Sequence, residues 1–140
     1  MLRRLHYVSP KGSAELLAAA ISQEIDTVKE ALPPAYMPEN VALMFLGCEG
    51  AKADKVTLEF ISTLTAKRVA TAALFCCNPK KSDAAIQQMK DALTAQGIKV
   101  MDSTYVCSGK GGLLGGKHPA EDEIQGAAKW ARQCMNQFKE

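Results

Sequence analysis

Two stretches of this chain run on without apolar–polar alternation: residues 41–46 (Val-Ala-Leu-Met-Phe-Leu) and residues 69–77 (Val-Ala-Thr-Ala-Ala-Leu-Phe-Cys-Cys). A strand with one wet face alternates polar and apolar residues, whereas a strand covered on both faces does not. Neither run approaches the ~20 residues of a membrane-spanning helix. Both are therefore predicted to be central strands of a parallel sheet. Parallel neighbours need crossover connections, so helices should lie between them and cover both faces.

The intervening segments meet that requirement. Residues 5–8 form a short strand stopped by Ser9-Pro10, and Ser13 is placed to cap a helix with Glu15 in its first turn. Leu17, Ile21, Ile25 and Val28 follow at helical spacing, up to Pro33 and Pro34. Gly47 ends the strand at 41–46, and a helix is predicted from about Asp54, with Val56, Phe60 and Leu64 on one face. Asn78-Pro79 closes the strand at 69–77. Ser82 then caps a helix bearing Ile86, Met89 and Leu93, which Gly97 stops. Residues 98–106 are the last strand candidate, more polar and nearer an edge. After a glycine-rich loop, Pro119 suits a first helical position, and Glu121, Asp122 and Glu123 suit the positive end of a helix. Ile124, Ala128, Ala131, Met135 and Phe138 make its apolar face. The alternation of strand and helix predicts one α/β domain over residues 1–140. Residues 32–38 leave room only for a very short second strand, confined by its prolines to an edge.

Bulk properties narrow the functional classes. A chain of 140 residues with 47% hydrophobic residues can bury a core without disulfides or metals. A net charge of +2, with Lys and Arg scattered, gives no nucleic-acid stripe. Ser9, Pro10 and Lys11 interrupt the apolar character behind the N-terminus, so no export signal is expected. Five cysteines without a CxxC pair then read as reduced thiols of a cytoplasmic protein that does not insert in membranes.

Open parallel sheets bind ligands beyond the carboxyl ends of their strands. That rule selects four loops, at residues 9–14, 47–53, 76–82 and 107–117. The first is Ser9-Pro10-Lys11-Gly12-Ser13-Ala14. Gly12 lets an anion approach the backbone, Ser9 and Ser13 supply hydroxyls, Lys11 adds a charge, and the helix start supplies free N–H groups. The same residues also suit a plain turn with an N-cap and no ligand.

Residues 7–21 (Tyr-Val-Ser-Pro-Lys-Gly-Ser-Ala-Glu-Leu-Leu-Ala-Ala-Ala-Ile) resemble the start of flavodoxins: a strand, then S/T-x-T-G-x-T, then an amphipathic helix. Residues 41–47 and 69–75 are similar to the family's third and fourth strands, and Cys107-Ser-Gly-Lys110 resembles a feature of some short flavodoxin-like proteins. The resemblance implies a three-layer sandwich, with a parallel sheet of four to five strands in the order 2-1-3-4-5. It implies FMN as cofactor and a role in electron transfer, or as the flavin component of a reductase, with a redox protein as partner. Ser9, Gly12 and Ser13 match phosphate-binding positions. Pro10, Lys11 and Ala14 complete that loop, with Lys11 and Ala14 standing where threonines are usual. By the same resemblance Gly47, Cys48, Glu49, Gly50, Cys77, Asn78, Cys107 and Gly109 would border the flavin. Flavodoxins often bracket the ring with Trp or Tyr, yet residues 47–52 and 77–81 contain no aromatic residue. Tyr36 and His118 are the nearby candidates. Flavodoxins are also commonly acidic, and this chain is not.

Three features compete for other readings. Cys48, Cys76, Cys77 and Cys107 each close a predicted strand, which gathers them at the sheet edge that carries the Ser9 loop. They suit a thiol or soft-metal site, or simply small buried hydrophobes, the reading that applies to Cys134. Residues 111–118 approach the nucleotide-binding pattern GxxxxGK[ST], but His118 replaces the magnesium-ligating hydroxyl and Pro119 removes an N–H. No Ser-His-Asp set or carboxylate pair can be assigned, so no catalytic residue is expected. A flavodoxin-like interaction module without cofactor remains the alternative to a flavoprotein.

Overall fold

A computed structural model describes residues 1–109 and 119–138. Its strands are β1 (Arg3–Tyr7), β2 (Lys29–Ala31), β3 (Val41–Glu49), β4 (Val69–Cys77), β5 (Lys99–Val100) and β6 (Tyr105–Cys107). Its helices are α1 (Ser13–Ile25), α2 (Lys55–Ser62), α3 (Ala84–Ala95) and α4 (Glu121–Gln137). Every strand pairing is parallel. The sheet runs β2-β1-β3-β4, and β5 and β6 share the fifth place along the outer side of β4. This is the expected 2-1-3-4-5 order, with its last strand cut in two.

The unalternating runs are explained by what covers them. Leu43 and Phe45 of β3, with Ala73 and Phe75 of β4, face a layer that includes Leu17 and Ile21 of α1 and Trp130 of α4. Met44, Leu46, Ala72 and Leu74 face the opposite layer, with Phe60 and Ile61 of α2 and Ile86, Met89 and Leu93 of α3. Successive residues of one strand thus enter different cores. Each large apolar side chain so buried contributes roughly 1.5–3 kcal/mol.

Several element boundaries differ from the sequence expectation. Gly12, not Ser13, is the N-cap of α1. Its φ of +88° lies in the left-handed region that glycine enters without strain, and Ser13 is the first helical residue. α1 ends at Ile25 because Asp26 turns left-handed, well before the prolines. Val28 is therefore outside the helix and 84% exposed. The second strand lies before residues 32–38, at Lys29–Ala31, hydrogen-bonded only to β1 at the sheet edge. Gly47 does not end β3, which continues to Glu49.

Ser82 is likewise one residue outside the α3 cap, Asp83, although its Oγ accepts from Ala84 N at 3.2 Å. Pro119 precedes the α4 N-cap, Ala120, instead of opening the helix. Val56 is exposed while Thr57 and Ile61 are buried with Phe60 on α2. On α4 the buried residues are Ala127, Ala128, Trp130, Ala131 and Cys134, with Ile124, Met135 and Phe138 only partly covered. Gly97, at φ +79°, stops α3 as expected. Among the described residues, no helix is long and apolar enough to cross a membrane.

Candidate functional site

At the carboxyl edge of the sheet, the turn from β1 into α1 lies beside the end of β3. The turn is held by Gly12 N donating to Ser9 O at 3.2 Å, and Val8 N donates to Gly47 O at 3.1 Å. Ser9 Oγ accepts from Glu15 N at 2.9 Å, so this hydroxyl is fixed over the first turn of the helix. Tyr7 supports the same turn from below, its hydroxyl donating to Glu15 Oε2 at 3.0 Å.

These groups converge on an anion, and the anion is the protein's own. The Glu49 side chain leaves the last residue of β3 and enters the turn. Its Oε1 accepts from Lys11 N at 2.8 Å and its Oε2 from Ala14 N at 2.8 Å. Ser9 Oγ also donates to Oε2. Backbone N–H groups at a helix start, joined by a hydroxyl, make the standard receptor for a phosphate or carboxylate. Here the Glu49 carboxylate fills that receptor. Among the described residues other than its chain neighbours, no atom lies within 4 Å of the position a Cβ on Gly12 would take, so none of them blocks the approach over that residue.

Beside the turn is a shallow cleft of about 120 Å³. Pro10, Lys11 and Ser13 line one side, and Glu49, Gly50, Cys77, Asn78, Pro79 and Gly109 the other. The second wall is held together by the backbone: Gly50 N donates to Cys77 O at 3.0 Å, and Asn78 N to Cys107 O at 3.0 Å. Asn78 also spans its own loop, with Nδ2 donating to Ser82 O at 2.8 Å and Oδ1 accepting from Ser82 N at 2.9 Å. Gly109 lies flat against this wall, where a Cβ would come 3.4 Å from the Cys77 carbonyl carbon.

The structure therefore brings Ser9, Pro10, Lys11, Gly12, Ser13, Ala14, Glu49, Gly50, Cys77, Asn78 and Gly109 to one edge. Gly47, Cys48 and Cys107 stand at the same carboxyl ends of their strands but do not line the cleft. Gly47 is covered by Phe75, and Cys48 and Cys107 are buried in the core. Lys110 through His118, with most of the glycine-rich loop and the nucleotide-binding pattern, lie outside the described residues. Tyr36 is 89% exposed on the far side of β2, beside Arg4, His6 and Glu30.

The strand-end cysteines do not form one cluster. Cys48 is in register with Cys76, and both enter the core under α2 and α3. Cys77 is in register with Cys107, and both enter the opposite core. All five thiols are free and buried. Burial raises the pKa of Cys48, and lifts Cys76 to about 12 and Cys134 to about 11. A hydrogen bond to Cys107, then burial, raises Cys77. Thiolates are the nucleophiles and metal ligands, so these residues behave as apolar packing. Among the described residues, no three His, Cys, Asp or Glu side chains are grouped to hold a metal ion.

Comparison with solved structures agrees with the topology. A flavodoxin from the domain Archaea superposes with a TM-score of 0.70 at 15% identity, covering 97% of each chain. Oxidised Flavodoxin 1 from Bacillus cereus gives 0.70 at 17% identity, over 99% of this chain and all of that one. The fold is flavodoxin-like. A Streptococcus pneumoniae flavodoxin, at 9% identity and a TM-score of 0.68, shows how far sequence diverges within this fold. No protein-family model matches the chain, and no curated protein matches it.

The contribution of Glu49 to the turn was not visible in the sequence. A carboxylate one residue past Cys48 had no local signal, because its partners stand 35 to 40 positions away.

Proposed function

We propose that this flavodoxin-like chain binds FMN at the carboxyl edge of β1, β3 and β4 and serves in electron transfer. The observation that supports this is the β1–α1 turn. Its donors converge well enough to hold a carboxylate, and the terminal phosphate of FMN presents the same kind of oxygens to the same N–H groups. Ser9, Lys11, Gly12, Ser13 and Ala14 would hold that phosphate. Gly50, Asn78, Pro79 and Gly109 border the adjoining cleft, where the flavin would lie. The flavin, once bound, would supply the electron-carrying chemistry, and the protein binding and electrostatics.

The loops around the cleft carry exposed Lys11, Lys52, Lys80 and Lys81. A redox partner for this edge would therefore present acidic groups, the reverse of what an acidic flavodoxin demands. Reconstitution tests the reading. Purified protein incubated with FMN and desalted should retain absorbance bands near about 375 and 450 nm. Colourless protein that takes up no FMN from solution defeats it.

A second reading, an interaction module that has given up its cofactor, draws on Glu49 in the cradle and on the lack of aromatic residues at 47–52 and 77–81. The two separate on Gly12→Asp. An added carboxylate at the mouth of the turn abolishes FMN uptake if the turn is the phosphate site, and leaves the function of a cofactor-free module intact.

A further inference from the structure

We propose that Glu49 is a built-in competitor for the anion cradle, so that the chain binds a phosphate-terminated ligand only by expelling its own carboxylate. The proposal rests on the turn being the ligand site, and it adds what sets the affinity and selectivity of that site.

The geometry carries it in three steps. First, the cradle has a small set of donors, and Glu49 uses three of them: Lys11 N and Ala14 N at 2.8 Å each, and the Ser9 hydroxyl. A phosphate needs those same donors. Second, a phosphate monoester carries up to two negative charges, and it cannot share the pocket with a carboxylate without strong like-charge repulsion. Third, Glu49 is attached to the rim of the cleft, not to a remote surface. Its backbone is fixed opposite Cys77 in the β3–β4 ladder, so the carboxylate is held at high local concentration next to the donors. An external anion must outcompete a tethered one.

The consequence is a selectivity that depends on the phosphate alone. A flavin lacking the phosphate has no use for the cradle and meets Glu49 only as one residue of the cleft wall. A flavin bearing it is penalised. Removing the carboxylate lifts the penalty.

The test uses three probes, FMN, riboflavin and inorganic phosphate, on the wild type, Glu49→Gln and Glu49→Ala. Flavin binding is read by quenching of flavin fluorescence, and phosphate binding by the thermal midpoint as phosphate is added. Expected are FMN affinities at least about tenfold tighter in Glu49→Ala than in the wild type, with Glu49→Gln between them. Riboflavin affinity should change several-fold less than FMN affinity across the three, and an equal gain for both flavins overturns the proposal. Unchanged or weaker FMN binding in both variants, each shown to be folded by its thermal transition, overturns the proposal. If no form of the protein binds either flavin, the FMN reading fails on its own. Phosphate then decides about Glu49: stabilisation of the variants but not of the wild type supports competition, and equal or absent stabilisation overturns it.

Discussion

Gly47 and Phe75 face each other across the β3–β4 ladder, and the phenylalanine ring occupies the space a side chain at 47 would need. A Cβ on Gly47 would come within 2.2 Å of the ring carbons Cε2 and Cζ. Phe75 cannot step aside freely, because it is fully buried and packs edge-on against Trp130 at 6.1 Å between ring centres. Gly47→Ala should therefore destabilise the protein by about 1–3 kcal/mol or more, as overpacked cores do. Urea unfolding followed by the fluorescence of Trp130, the single tryptophan, measures this as a lower midpoint with an unchanged slope. A midpoint equal to wild type would show that the ring moves at little cost.

Asp54 anchors α2 through two bonds of its carboxylate. Oδ2 accepts from Thr57 N at 2.9 Å, and Oδ1 accepts from the Thr57 hydroxyl at 2.6 Å. Asp54→Ala should cost about 0.5–2 kcal/mol, and Asp54→Asn or Asp54→Ser should recover most of it. The same unfolding experiment separates a cap from a charge effect: restoration by the neutral residues identifies the cap.

The interrupted connection between sequence and structure is instructive at particular residues. Strands β3 and β4 were legible because both of their faces are covered, and that condition writes itself into consecutive apolar residues. β2 was not. Lys29-Glu30-Ala31 is only partly covered, and what makes it a strand is its register with Leu5, His6 and Tyr7, which no local pattern records. The end of α1 was misplaced for a related reason, since Val28 continues the helical spacing although Asp26 has already turned the chain. At the site, the donors of residues 9–14 were readable because an anion cradle is a local arrangement. Its occupant was not readable, because Glu49 reaches the turn only once the sheet has brought β1 and β3 side by side.

The thiols provide a third prediction. All five are buried, and Cys48, Cys76, Cys77 and Cys134 have raised pKa values, so these four present little thiolate at neutral pH while burial shields Cys107 from reagents. In the native protein all five cysteines should react slowly with an aromatic disulfide reagent at about pH 8, and all should react promptly in guanidinium. One or two thiols that label rapidly in the native state would revive a redox role for the strand-end cysteines.

His6 gives stability a pH dependence. Its imidazole is 2% exposed, its Nδ1–H donates to Glu30 O at 3.2 Å, and its buried Nε2 has no hydrogen-bond partner among the described residues. Burial, partly offset by the Glu30 carbonyl and carboxylate, holds its pKa below the ordinary 6.5. The folded state thus binds fewer protons than the unfolded chain. Its contribution is complete above about pH 6.5 and is lost as pH falls from there through the lowered folded value. His6→Phe, which keeps a ring beside Phe60, should flatten that part of the stability profile. Parallel profiles for wild type and variant between about pH 5 and 7.5 would exclude His6 as the source.

The divided fifth strand has a consequence of a different kind. Among the described residues, the sheet beyond β4 presents only Lys99–Val100 and Tyr105–Cys107, two and three residues long and set apart by residues 101–104. A long straight margin of unpaired backbone would invite a strand from a neighbouring molecule, and such recruitment is how sheet proteins begin to aggregate. This margin offers a newcomer no continuous row of amides to copy. The apolar β4, paired along β3 on one side and with β5 and β6 at two separate stretches on the other, can therefore sit one place from the boundary without becoming a template for self-association.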